Sequence, residues 1–168
     1  PLGEALLEVG DHPEAALLFR HEAGCLAADV DIDAVALDPH HGAGRHLASG
    51  AHKLLFIEGR QEAGALVLDE HFEYSDGTTQ RRVWRLTDLG QGRWQGEADD
   101  VVGQAMGQSA GNALNWRYTL ALPVDGRIYH VQFDDWMYLM DEHVMLNKAV
   151  MSKFGITLGE VTLSFHKP

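Results

Sequence analysis

Residues 111–122 alternate strictly: Leu114, Trp116, Tyr118, Leu120 and Leu122 take one parity, Asn115, Arg117 and Thr119 the other. A period of two is that of a strand with one face covered and one wet. A second aromatic run, 127–139, follows Pro123-Val-Asp-Gly126, which reads as a turn with Gly126 free to take positive φ. The same alternation marks 65–74, where Leu66, Leu68, Glu70, Phe72 and Tyr74 oppose Val67, Asp69, His71 and Glu73. It returns in 80–87, where Arg82, Trp84 and Leu86 oppose Arg81, Val83 and Arg85.

Turn chemistry separates these runs. Ser75-Asp-Gly-Thr78 is a strong hairpin signal, and Gly90-Gln-Gly92 marks the next reversal. Residues 53–58 read as a short apolar strand stopped at Gly59, and 93–98 as another. Gly103 and Gly107 suggest bulges or sharp curvature in 99–108. A strand over 142–150 leads to turns at Phe154-Gly155 and Leu158-Gly159, and 161–166 closes the series. Short strands at regular spacing predict a mainly β, antiparallel barrel or sandwich, and closure into a barrel removes aggregation-prone edges.

The first third reads differently. Residues 1–30 have helical character: Asp11 is a candidate cap, Pro13 falls in the first turn, Ala15 to Phe19 follow, and Gly24 is a stop. Residues 31–52 form a Gly-rich stretch carrying His40, His41, His46 and, just beyond, His52. Imidazoles bind zinc or copper, but this spacing matches no standard ligand signature, so a solvated loop is the leading reading. The expectation is one domain over 1–168, with a short N-terminal helix and His-rich loop in 1–52 and barrel strands in 53–168.

Composition narrows the partners. A net charge of −12 argues against a phosphate-backbone ligand, which needs a basic face, and against electrostatic docking on anionic lipid. No apolar stretch is long enough to span a bilayer as a helix. Cys25 is the only cysteine, which excludes an internal disulfide framework and a thiolate zinc cluster. Its context, Glu22-Ala-Gly-Cys25, has the small residues of a lipoprotein processing site, but Arg20, His21 and Glu22 interrupt the apolar run such a leader needs. A small core residue is the preferred reading of Cys25. The chain begins at Pro1 without Met, so a removed leader stays open.

Six segments in order then resemble one family. They are Leu68-Asp-Glu-His-Phe-Glu-Tyr-Ser-Asp-Gly77, Arg82-Val-Trp-Arg-Leu86, Ala98-Asp-Asp-Val-Val-Gly103, Gly111-Asn-Ala-Leu-Asn-Trp116, Phe133-Asp-Asp-Trp-Met137 and Ser152-Lys-Phe-Gly155. Together they resemble DUF3833, a family of bacterial proteins of unknown function, over residues 65–168. The resemblance implies a lipocalin-like (calycin) barrel and a place at the cell envelope or periplasm, with lipid anchoring of the native form. A cytoplasmic protein is the alternative. It implies no enzyme activity.

The chemistry divides into three readings. In the first, Trp84, Trp116, Tyr118 and Trp136 line a cavity for a lipid or other small apolar molecule, with Asn112, Asn115 or Arg117 at its mouth. An eight-stranded barrel can equally be filled by its own side chains. Met137, Met140, Met145 and Met151 fit either outcome. In the second, Asp135 or Glu70 works with His71 or His130 as acid and base on a lipid-like substrate. Adjacent strand residues point to opposite faces, so Asp134 and Asp135 would not share a site, and Asp135 is better read as a brace bonded to backbone amides or to Arg82, Arg117 or Lys153. Ser109 reads as a loop residue, with no nucleophile elbow around it. The third reading is a structural or partner-binding envelope protein, for which the sequence leaves the oligomeric state open. No motif calls for a cofactor.

Overall fold

The structure, a computed structural model, describes residues 25–31, 35–36, 45–46, 53–74, 77–124 and 126–166. Among them every regular element is a strand. In chain order these are β1 (Cys25–Asp31), β2 (Val35–Ala36), β3 (Arg45–His46), β4 (Lys53–Glu62), β5 (Ala65–Tyr74), β6 (Thr79–Gly90), β7 (Arg93–Glu97), β8 (Ala105–Ala110), β9 (Ala113–Val124), β10 (Arg127–Leu139), β11 (Val144–Lys153) and β12 (Ile156–His166).

Strands β4 to β12 pair in sequence order, each antiparallel to the next, in one sheet curled into a half-barrel. β1 lies antiparallel to both edges, Ala28 opposite Leu55 on one side and opposite Phe165 on the other, and so completes a closed order of ten strands. β2 and β3 form a separate two-stranded pair. Ten strands enclose more interior than an eight-stranded barrel would, because barrel diameter grows with strand number.

Alternation sets the inner face. On β5, Leu66, Leu68, Glu70, Phe72 and Tyr74 point inward, on β6 Gln80, Arg82, Trp84 and Leu86, and on β9 Leu114, Trp116, Tyr118, Leu120 and Leu122. The parities read from sequence therefore hold on all three strands. On β10 the split also holds: Asp135 faces in and Asp134 faces out, where Arg117 reaches it at 3.2 Å.

Several boundaries differ from the sequence reading. β4 does not stop at Gly59 but runs to Glu62, and the reversal falls at Ala63 and Gly64, both at positive φ (50° and 83°). Leu158 and Gly159 are strand, not turn; a register shift at Met151/Ser152 absorbs the irregularity there. Residues 25–30, the end of the stretch read as having helical character, belong with Asp31 to β1, since both neighbouring strands offer it ladder bonds. The helix expected after Pro13 and residues His40, His41 and His52 lie outside the described residues.

Residues 98–104 are a connection and not a curved strand. β7 and β8 are short beside β6 and β9, so, although β10 pairs with its whole length, β9 has no strand partner beyond Arg117 on its β8 side. The connection supplies one: Val101 bridges Leu120, Val102 N–H donates to Thr119 O at 2.8 Å, and Ala121 N–H donates to Asp100 O at 2.8 Å.

Gly107 has a packing role. A Cβ there would lie 2.3 Å from the Trp116 ring, and one at Gly96 would lie 2.4 Å from it. The two glycines on β8 and β7 let the Trp116 indole lie flat across neighbouring strands.

Candidate functional site

The inner faces leave a cavity of about 330 Å³. Its wall is mostly aliphatic and aromatic. Trp84 meets Trp116 edge-on at 5.8 Å and Tyr118 edge-on at 5.3 Å, and Tyr118 stacks on Phe133 at 5.0 Å. Met137, Met145 and Met151 add polarisable surface.

The two ends of the cavity differ. At the end bearing the β4–β5 and β8–β9 turns, Leu66, Leu86, Trp94, Leu114, Met145 and Phe165 are all buried and form a packed floor. At the other end, the inward Tyr74, Leu122 and Met151 are only half-buried and Gln80 is exposed. That end is the mouth. Around it the strand ends and connections carry exposed Val102, Val124, Ile128, Ile156 and Phe154, the last 88% exposed.

A small polar cluster interrupts the apolar wall. Asp135, 8% exposed, accepts a short hydrogen bond from Asn147 Nδ2 on one oxygen and one from Tyr118 O–H at 3.3 Å on the other. Burial pushes its carboxyl up to about 6, against the pull of Asn147 and Tyr118. Glu70 contacts Arg82 Nη1 through Oε2 at 3.4 Å. Burial pushes Glu70 up to about 7, opposed by the Arg82 charge and a hydrogen bond from Trp84 and reinforced by the Asp135 charge. Burial and the nearby Asp135 charge also raise the Tyr118 phenol well above its ordinary range, so it stays a donor.

Arg82 is committed elsewhere. Its Nε donates to Asp100 Oδ1 at 2.9 Å and its Nη2 to Oδ2 at 2.7 Å, while the guanidinium lies 5.5 Å from the Phe72 ring. Burial alone would make Arg82 easier to deprotonate, but the bond to Asp100 and the charges of Glu70 and Asp100 outweigh it.

The candidates from sequence separate accordingly. Trp84, Trp116, Tyr118, Glu70 and Asp135 line the cavity. Trp136 does not: it sits one residue from Asp135, so its side chain leaves the barrel, where it is 39% exposed and stacks on Tyr138 at 6.0 Å. Asn112 is exposed at the floor end, with Nδ2 donating to Leu139 O at 2.8 Å. Asn115 and Arg117 bond Asp134 on the outer wall. His71 lies on the outer wall too, with Nε2 3.1 Å from Asp69 Oδ1, and His130 is exposed there. The acids and the imidazoles thus occupy opposite faces, and the proposed acid–base pairs do not meet.

Asp135 is braced, but by Asn147 and Tyr118 and not by Arg82, Arg117 or Lys153; the Lys153 ammonium lies over the Tyr129 ring at 4.3 Å. Ser109 is a buried β8 residue whose hydroxyl donates to Gly92 O at 3.2 Å. Of the histidines proposed as ligands, His46 falls on β3, while His40 and His41 are not described. Among the described residues no group of His, Cys, Asp and Glu could hold a metal ion. Asn147 and Trp94 were missed. The parity of Met145, Asn147, Ala149 and Met151 on β11 was the available signal for the first.

The molecule is thus a curled antiparallel β-barrel with an apolar interior and a few converging polar groups. The chain belongs to the family of proteins of unknown function designated DUF3833, whose family model matches residues 53–167. No curated protein matches the chain. Among the described residues, no helix is long and apolar enough to cross a membrane.

Proposed function

We propose that this protein is a non-enzymatic, lipocalin-like barrel of the bacterial envelope that binds a lipid or another small apolar molecule. The observation that carries the reading is the 330 Å³ interior, which lies within the size range of small-molecule pockets and is walled by Trp, Phe, Leu and Met with few polar groups. A filled interior would have favoured a structural barrel. The scattering of His71 and His130 to the outer wall weighs against acid–base catalysis with Glu70 or Asp135.

The rim supports a place beside a bilayer. Val124, Ile128, Phe154 and Ile156 are exposed around the mouth, where an apolar ligand has to enter. Contact with acyl chains there would shield the ligand from water during transfer. Uncharged or zwitterionic lipid suits a chain of net charge −12 better than anionic lipid.

Mass spectrometry of organic extracts of the purified protein tests the proposal. The expected result is a co-purifying apolar molecule in near-stoichiometric amount. A protein that yields nothing and takes up no added lipid would overturn it.

A further inference from the structure

We infer that the ligand is an apolar molecule bearing a protonated amine, received by the carboxylates of Glu70 and Asp135. This rests on the proposal that the cavity binds a small molecule at all, and it narrows the chemistry of that molecule.

Charge inside the barrel is unbalanced. Glu70, in the cavity wall, and Asp100, in the β7–β8 connection, share one guanidinium, that of Arg82. Asp100 takes most of it, through Nε and Nη2, and leaves Glu70 one longer contact at 3.4 Å. A second cavity carboxylate, Asp135, has only neutral donors, Asn147 and Tyr118. Among the described residues the remaining elements add no cation to the cavity: β4 and β12 present apolar side chains, β7 presents Trp94 and β8 Ser109. The polar part of the cavity therefore carries excess negative charge, and each carboxylate retains acceptor capacity after its protein partners are counted.

This arrangement selects among amphiphiles. A fatty acid would add another carboxylate to a site whose arginine is already held, at a cost in like-charge repulsion. An alcohol would gain a hydrogen bond but no charge. An ammonium supplies the missing cation and donates to both acids while its chain lies along the Trp and Leu wall. The elevated proton affinities of Glu70 and Asp135 are the signature of carboxylates buried without enough counter-charge.

Tryptophan emission reports binding, since Trp84, Trp94 and Trp116 line the cavity. Decylamine, decanol and decanoate are titrated separately, below their aggregation limits, at pH 7.5 and at pH 5. The expected result at pH 7.5 is decylamine binding about ten-fold or more tighter than either of the others. At pH 5, below the values of about 7 for Glu70 and about 6 for Asp135, that advantage narrows as both acids take up protons. In the E70Q/D135N double variant the amine's advantage over decanol falls below about three-fold. If the double variant does not fold, the pH comparison on the wild-type chain decides. Decanol or decanoate binding as tightly as decylamine at pH 7.5 would overturn the inference while leaving an apolar binding cavity in place. Binding of none of the three would remove the cavity reading as well.

Discussion

Arg82 on β6 and Asp100 in the β7–β8 connection are joined by a bidentate ion pair, 2.9 Å from Nε and 2.7 Å from Nη2, at the place where the barrel wall has no full-length strand. The pair ties the connection, itself bonded to β9, back to β6. Its side chains are 12% and 27% exposed, so water competes weakly for either.

Removing one partner leaves a mostly buried charge. Asp100→Ala is expected to lower stability by about 2 kcal/mol, read as a fall in Tm of roughly 4–8 °C. Glu160→Ala, which breaks the half-exposed Lys148–Glu160 pair at 2.9 Å, should cost under about 1 kcal/mol. Equal losses in the two variants would mean that Arg82–Asp100 does not brace the wall.

The acids give stability an unusual pH dependence. Glu70 takes up its proton at about 7 in the fold against 4.5 ordinarily, and Asp135 at about 6 against 3.8. Between these limits the folded chain holds protons that the unfolded chain has released, so stability falls as pH rises from about 4 to 7 and levels off above that. Each group contributes on the order of 3 kcal/mol to the fall. Thermal melts at pH 5 and pH 8 should show the higher Tm at pH 5, and Glu70→Gln should remove roughly half of the difference. Unchanged pH dependence in that variant would assign the effect to surface charge instead.

Trp116 depends on the absence of side chains on the strands it crosses. A methyl at Gly107 or Gly96 would clash with its ring at 2.3 or 2.4 Å, and the ring is backed by the rest of the core. Gly107→Ala is expected to destabilise by about 1–3 kcal/mol. Because Trp116 also meets Trp84 edge-on, near-ultraviolet circular dichroism should change with it. A variant as stable as the parent would show that the indole can move aside.

The mouth rim makes a separate prediction. Phe154, with positive φ of 53° beside Gly155, stands at the tip of the β11–β12 turn. Phe154→Asp should reduce co-flotation with zwitterionic phospholipid vesicles by several-fold without lowering Tm, since the side chain is 88% exposed. No change in flotation would remove the rim's support for an envelope location.

Much of the barrel was legible in the sequence. Where one parity is apolar and the other charged, as on β5, β6 and β9, the inward set could be named residue by residue, including Glu70 and Arg82 among the Leu and Trp positions. β10 was harder, because Trp136 and Tyr138 are large apolar residues on the outward parity. The adjacent acids Asp134 and Asp135 must face opposite ways, but that alone does not show which parity goes in. Partners across the barrel were not legible either. Asp135 meets Asn147 and Tyr118 because of strand register, and Arg82 meets Asp100 because two short strands leave a gap. Neither relation leaves a spacing in the chain. β1 was misread because its identity as strand comes from its two neighbours and not from its own pattern.

The proposed binding site is the interior of the barrel. That placement is tested most directly by the fluorescence of phenylnaphthylamine with the wild-type chain and with Ala149→Phe. Ala149 is buried and faces the cavity from β11, so a phenyl ring there occupies the space a ligand would take. Melts by circular dichroism confirm that the variant folds. Saturable, one-to-one probe binding to the wild-type chain and loss of at least about ten-fold in affinity in Ala149→Phe are expected. Equal binding by the two folded proteins, or none by the wild type, would contradict an interior site.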